Sequence, residues 1–340
     1  MTQLPVQADS GRLSVPALLV HGGAGTFERI HEGSDVEWLN EGLRHALAAG
    51  WEVLAPGGGA LEAVVEAVAA LEDGGRFNAG RGAVTTSDGT HEFDASVMDG
   101  RSGRVGAICA ATYPANPVRV ARAVADVGGT PDGPLLLAGL GADRFAEEAG
   151  FPAMTPEMIA GARAGAGAKG LAGQDQRGPG DGQPAPDRPN PSLGAPGQTA
   201  TGSTAGTVGA VAVDAMGGVA AATSTGGRSG QLRGRVGDAP IPGAGTWASP
   251  ANLAVSATGA GEAFIVAGFG HLVEWRVQSG DSLKAALSTA LDAVAALGGD
   301  GGGIAISPDG AFVAGFNSRA MARGWRDASS EVVALWPSGG

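Results

Sequence analysis

A chain of 340 residues, 43% of them hydrophobic, has the material for a sizeable core, in one large domain or two ordinary ones. A net charge of −12 with no basic patch argues against nucleic acid as a partner, and a single cysteine, Cys109, excludes an intramolecular disulfide and argues against a cysteine-based metal site. No apolar run reaches the ~18 residues a membrane helix needs, and no charged segment followed by an apolar one opens the chain, so no membrane is expected and the expected location is the cytoplasm.

PALLVHGGAG (16–25) reads as a short buried strand running into a glycine turn. A helix follows, capped by Ser34 or Asp35, with Val36, Leu39, Leu43 and Leu47 on one face. ALEAVVEAVAALED (60–73) is a second helix. HEFDASVMDG (91–100) and VGAICAAT (105–112) read as a hairpin. PVRVARAVADV (117–127) is a helix that starts on proline, PLLLAG (134–139) a strand, and 143–150 a short helix. From about 164 to 206 the pattern collapses into Gly, Pro, Gln and Asp, which bury too little apolar surface to offset the entropy of ordering them. A stretch of that kind inside a domain marks function or a boundary.

Order returns at once. TVGAVAVD (207–214) and GVAAATSTGG (218–227) form a hairpin, LAVSATG (253–259) a strand, and 261–277 and 282–297 amphipathic helices. GGIAISPDGAFVAGF (302–316) is a closing hairpin turned at Pro308, Asp309 and Gly310. Strands gathered in hairpins and helices in pairs predict two largely antiparallel sheets between helix layers, an α+β arrangement rather than a run of βαβ units.

Thr207 stands where the structureless stretch meets the best-formed strand. A threonine hydroxyl is a poor nucleophile without an adjacent base. Its own α-amine, with a pKa of about 8, could be that base if the Gly206–Thr207 peptide were cut. Gly206 tolerates strained torsions, the stretch before it can move away, and the strand after it is rigid. The plainer alternative is a β-branched residue starting a strand, the commoner role in a Gly-Thr pair. Thr225, at the end of the partner strand, would lie near Thr207. In GRVGDAPIPGAG (234–245), Arg235 suits a carboxylate and Asp238 an ammonium, together the two ends of an amino acid. The alternative is a surface i,i+3 salt bridge. SATGAGE (256–262) turns from strand to helix, where a threonine hydroxyl and backbone N–H groups can hold an oxyanion, or merely connect two elements. HGGAG lacks the G-x-G-x-x-G spacing, which weakens a nucleotide reading.

HGGAG, FNAGRGAV, HEFDASVMDG, a long linker, GTVGAVAVD, TSTGG, GRVGDAPIPGAG and ATGAGEAF occur in that order. The set resembles the plant-type (type III) L-asparaginases, or isoaspartyl peptidases, of the N-terminal nucleophile hydrolase superfamily, over about residues 17–325 apart from the linker. The resemblance implies a single domain, 1–340, with a four-layer αββα sandwich fold. It implies self-cleavage at Gly206–Thr207 into an α chain, 1–206, and a β chain, 207–340, paired as (αβ)2. It makes Thr207 the nucleophile and, through its freed amine, the general base, with Thr225 hydrogen-bonding beside it. Thr258 and Gly259 become the oxyanion hole. Arg235 and Asp238 hold the substrate's α-carboxylate and α-ammonium, Gly261 supports the latter, and Asn78 lines the site. The substrates implied are L-asparagine and β-aspartyl dipeptides. No organic cofactor is implied. A structural sodium ion is, held by backbone carbonyls of Leu71, Glu72, Phe77, Ala79 and Arg81.

The chain departs from the family pattern at Gln231, where a lysine is expected, at Ala260, where relatives often carry a polar residue, and in the glycines of LEDGGRFNAG. Three other readings stand beside this one: a glycosylasparaginase, an uncut relative acting as a binding protein, and a nucleotide-binding α/β protein built on HGGAG.

Overall fold

The computed structural model describes residues 4–25, 34–128, 133–167, 206–249 and 253–337. Most of the stretch expected to be structureless lies outside them, as do the residues before Ser34 that would settle the first helix cap.

Two sheets lie face to face. The larger is eight-stranded and is built from β2 (Ala17–Gly25), β3 (Phe93–Asp99), β4 (Val105–Ala111), β5 (Leu136–Ala138), β6 (Val208–Val213), β7 (Val219–Thr225), β12 (Ala320–Arg326) and β13 (Glu331–Ala334). Its order is β13-β12-β2-β6-β7-β3-β4-β5. The smaller joins β1 (Gln7–Arg12), β8 (Thr246–Ser249), β9 (Leu253–Gly259), β10 (Gly301–Ile306) and β11 (Ala311–Phe316) in the order β1-β11-β10-β9-β8. Pairing is antiparallel throughout except between β4 and β5. Helices α1 (Ser34–Leu54), α2 (Ala60–Gly74) and α3 (Pro117–Val127) cover the outer face of the large sheet. After α4 (Leu140–Glu148) and α5 (Pro156–Gly167), helices α6 (Gly261–Ala267), α7 (Phe269–Gln278) and α8 (Leu283–Ala296) complete the layer on the small sheet.

The four layers arise from the strand period of two applied to strands buried on both faces. In β6, Val208, Ala210 and Ala212 face the helices, with Leu43, Leu47 and Val64. Val211 and Val213 face the other sheet, with Ile304 and Phe316. The outer face of the small sheet packs Val255, Ala305 and Val313 against Phe264, Phe269 and Leu291. Alternating alanine with valine keeps both faces apolar while letting the layers approach closely.

Elements with strong local patterns fall where they were expected: α2, α3, the β3–β4 and β6–β7 hairpins, β9 and β10–β11. The expected single helix over 261–277 is instead two, because Gly268 adopts a left-handed φ of 58° that ends α6 and starts α7. The hairpin expected to close the chain is followed by β12 and β13. Helix α5 carries order as far as Gly167, three residues past the expected collapse at 164. Among the described residues no helix is long and apolar enough to cross a membrane.

Candidate active site

The β6–β7 pairing sets Val208 opposite Ser224, which brings Thr207 and Thr225 to the same end of the hairpin on its inward face. Thr207 Oγ1 lies 3.2 Å from Thr225 Oγ1. Thr225 Oγ1 in turn accepts the Gly227 N–H at 3.1 Å. Both threonines are buried.

The glycine turn expected at HGGAG is instead the last part of strand β2, and Gly206 rests on it. A Cβ on Gly23, whose φ is +108°, would sit 2.3 Å from the Gly206 nitrogen, so only glycine lets the two backbones touch. On the other side, Thr258 Oγ1 lies 3.3 Å from where a Cβ of Gly206 would stand. That hydroxyl is fully buried and has no hydrogen-bond partner among the described residues. An unpaired buried hydroxyl is costly, which is a reason to look for a ligand atom there. Gly259, next in the chain, has a φ of +148° that a side chain would oppose. Asn78 closes the site by bridging two segments: its Nδ2 donates to the Gly227 carbonyl at 2.7 Å, and its Oδ1 accepts from Val84 N–H at 3.0 Å.

Arg235 and Asp238 lie around Gly261, where a Cβ would stand 2.9 Å from Asp238 Oδ1 and 3.0 Å from Arg235 Nη2. The i,i+3 salt bridge is not the arrangement found. Arg235 instead grips Glu262 in a two-pronged pair, Nε to Oε1 at 3.0 Å and Nη2 to Oε2 at 2.9 Å. Asp238 Oδ2 is buried with no hydrogen-bond partner among the described residues. Burial pushes the Asp238 carboxyl up to about 7, against the pull of its own backbone N–H and the nearby Arg235. A buried carboxylate with a free oxygen is the natural seat of an ammonium group. Asp94 braces the loop: its carboxylate accepts Gly237 N–H at 3.2 Å and Ala110 N–H at 2.8 Å. Gln231, at the position where a lysine was expected, accepts Arg228 N–H at 2.8 Å and holds the turn after β7.

The proposed cation loop lies between α2 and the 3₁₀ turn Gly80–Gly82. Two of its glycines pack directly against backbone carbonyls, and the Phe77 carbonyl also accepts the Ala79 N–H at 2.8 Å. A Cβ on Gly80 would sit 2.9 Å from the Glu72 oxygen, and one on Gly82 would sit 2.0 Å from the Phe77 oxygen and 3.0 Å from that of Gly75. The Arg81 side chain turns away to Asp73 at 3.0 Å. The Glu72 side chain points into the core, where it accepts from Ser224 Oγ at 2.6 Å and Val118 N–H at 3.0 Å and thereby ties α2 to β7 and to the start of α3. Burial raises its carboxyl to about 8 despite these donors.

Sequence reasoning missed His21, Asp94 and Glu262. His21 fell inside a motif read as a glycine turn; its place on the inward phase of an apolar strand was the available signal.

The chain matches the asparaginase family over residues 14–334. It is 38% identical to an isoaspartyl peptidase of Salmonella typhimurium, in an alignment covering 91% of this chain and 94% of the relative. Identity is also 38% to an isoaspartyl peptidase/L-asparaginase of Rattus norvegicus, over 92% of this chain and 89% of the relative. A plant-type L-asparaginase of Pyrobaculum calidifontis is 36% identical, over 91% and 96% of the two chains. With the match over residues 14–334, the relatives at 36–38% identity and the sandwich of two sheets, the chain belongs to the asparaginase family.

Proposed function

We propose that this chain is a self-processing amidohydrolase that releases ammonia from L-asparagine and cleaves isoaspartyl dipeptides at the β-peptide bond. The names of its relatives give the substrates. The observation that carries the chemistry is the 3.2 Å pair of Thr207 and Thr225 hydroxyls, together with the buried Thr258 Oγ1 and Asp238 Oδ2, which have no hydrogen-bond partner among the described residues.

In processing, Thr207 Oγ attacks the Gly206 carbonyl carbon. The peptide C–N bond breaks as the nitrogen takes up the proton lost by Oγ, which frees the Thr207 amine; the acyl group passes to oxygen, and water hydrolyses that ester to release the Thr207 hydroxyl and the Gly206 carboxylate. In turnover that amine takes the Oγ proton as Oγ attacks the substrate's side-chain carbonyl. Thr258 Oγ1 and the Gly259 N–H face the oxyanion. The proton then passes to the leaving ammonia or amino acid, and water, activated by the same amine, hydrolyses the β-aspartyl ester to aspartate. Arg235 offers its remaining N–H groups to the α-carboxylate while Glu262 fixes its plane, and Asp238 takes the α-ammonium.

The backbone carbonyls of this loop, Glu72 beside Gly80 and Phe77 and Gly75 beside Gly82, are oxygen donors of the kind a monovalent cation such as sodium prefers. Bound there, the ion would brace the turn carrying Asn78. Pairing of two processed heterodimers belongs to the same reading and is checked by light scattering.

Purified protein should carry a second N-terminus reading TVGAVAVD, and Thr207→Ala should remain one uncut, inactive chain on a denaturing gel. Cleavage and activity persisting in Thr207→Ala would overturn the assignment. Preference for a glycosylated asparagine over an isoaspartyl dipeptide would move the protein to the glycosylasparaginase reading.

A further inference from the structure

Five polar side chains lie buried between the sheets outside the proposed catalytic set: His21 on β2, Ser96 on β3, Thr223 on β7, Thr246 on β8 and Ser256 on β9. They form one line. His21 Nδ1 is 3.0 Å from the Thr207 carbonyl oxygen, and His21 Nε2 is 2.8 Å from Ser256 Oγ. Ser256 Oγ is 2.7 Å from Thr223 Oγ1, which is 2.6 Å from Thr246 Oγ1. Thr246 Oγ1 is 2.7 Å from Ser96 Oγ, which reaches the Ala239 carbonyl at 2.6 Å, one residue past Asp238.

Proton counting gives the line a direction. A carbonyl only accepts, so Nδ1 carries the imidazole proton and donates to Thr207. Burial keeps the ring neutral, with its pKa lowered to about 3, so Nε2 is a lone pair and Ser256 must donate to it. Each hydroxyl has one proton. With the Ser256 proton spent on Nε2, the 2.7 Å bond needs Thr223 as donor and the 2.6 Å bond needs Thr246, with the Gly245 carbonyl at 3.2 Å from Thr223 Oγ1 and the Ala239 carbonyl at 3.1 Å from Thr246 Oγ1 as longer, secondary acceptors; the Ser96 proton serves Thr246 and Ala239. Every donor up to Thr246 points toward Thr207. The other tautomer would set two lone pairs face to face at Nδ1.

Two further observations show that space is kept for this line and that it is needed. A Cβ on Gly209 would stand 2.0 Å from Ser256 Oγ and 2.4 Å from His21 Nε2, so β6 carries glycine where the histidine–serine bond passes. The ladders also stop short of the nucleophile: their last pairs are His21 with Gly209 and Val208 with Ser224, and Thr207 lies just beyond.

We propose that His21 is a positioning residue for Thr207. Its Nδ1–H fixes the Thr207 carbonyl, and the buried hydroxyl line holds the ring in the tautomer that can do so. The inference rests on Thr207 being the nucleophile. Once the Gly206–Thr207 bond is cut, Thr207 loses its upstream tether. The downstream carbonyl then sets rotation about its Cα–C bond, and with it the direction of the amine and hydroxyl.

The test compares His21→Asn with His21→Gln. Asparagine puts its amide N–H near the position of Nδ1; glutamine puts it near Nε2, out of reach of the carbonyl. Precursor cleavage rate is followed on gels, and kcat and KM are measured per processed chain with an isoaspartyl dipeptide. His21→Gln should lower the cleavage rate or kcat at least tenfold, because a misplacement of about 1 Å costs on the order of 100-fold. KM should change less than about threefold, since the Arg235 and Asp238 side chains are untouched. His21→Asn should restore most of the loss. Equal behaviour of the two variants, whether both active or both impaired, would overturn the proposal. Thr207→Ala separates the two ideas: activity surviving there refutes the nucleophile itself, whereas an inactive Thr207→Ala beside indistinguishable His21 variants refutes only the role of His21.

Discussion

Asp238 and Arg235 are three residues apart and of opposite charge, yet the guanidinium turns to Glu262 and leaves the buried Asp238 Oδ2 without a hydrogen-bond partner among the described residues. This division of labour makes binding depend on pH. The Asp238 carboxyl is raised to about 7 by burial, so it loses its charge as the pH falls through that value. An ammonium ligand needs the ionised form. Affinity for L-aspartate, measured as competitive inhibition, should therefore be level above about pH 7 and weaken below it, by up to about tenfold per pH unit. Asp238→Asn should bind weakly and flatten the profile; an unchanged profile in that variant would remove Asp238 from the ammonium site. At this scale the sequence was informative where a motif is contiguous. GTVG, TSTGG and GRVGD are each readable as a short string, and the β6–β7 hairpin between the first two brings Thr207 and Thr225 together. The His21–Ser256 bond joins residues 235 apart, and no local pattern reports it.

The loop between α2 and β3 shows the same limit for whole elements. Helix α2 was legible from its apolar face, and its end from Gly75, which takes the left-handed φ of 61° that stops a helix. The turn beyond Gly75 is shaped by backbone oxygens, which a sequence does not display. If a cation sits among the Glu72 and Phe77 carbonyls, thermal stability should be higher in sodium chloride than in choline chloride at equal ionic strength. Gly80→Ala would push a methyl to 2.6 Å from Glu72 Cβ and should lose that difference along with some stability. Equal melting in the two salts for the unmodified protein would argue against the ion. Strands β1 and β13 escaped sequence reading for another reason. Glu331–Ala334 and Gln7–Arg12 are sheet edges, largely exposed or half-buried, with no strong alternation to report them. The break at Gly268 was visible as a glycine, but an isolated glycine inside a helical pattern is often tolerated, and only the φ of 58° marks the division.

For the molecule as a whole, the sandwich leaves ionisable groups between and behind its sheets, and their shifted pKa values set how stability responds to pH. Burial raises Glu72 to about 8, Asp238 to about 7 and Asp94 to about 6. Each holds its proton more tightly folded than unfolded, so the folded state binds more protons between the ordinary carboxylate range and these values. Stability from this source falls as the pH rises through the window. His21 works the other way: lowered to about 3 from 6.5, it is neutral when folded and charged when unfolded between those values, and stability rises with pH there. The two effects oppose each other from about pH 4 to 6.5. Above 6.5 the histidine contributes no slope and the carboxyls act alone. The free energy of unfolding should thus decline between pH 6.5 and about 8.5, as read by chemical denaturation at constant ionic strength. Asp238→Asn should make the decline shallower by removing one of the protons involved. Glu72→Gln should do the same while keeping the side chain's reach to Ser224. A stability that climbs across this window in the unmodified protein would mean that Glu72 and Asp238 are held ionised in the folded state by the donors around them. Asp238 would then be charged at lower pH as well, and the weakening of L-aspartate binding would begin correspondingly lower.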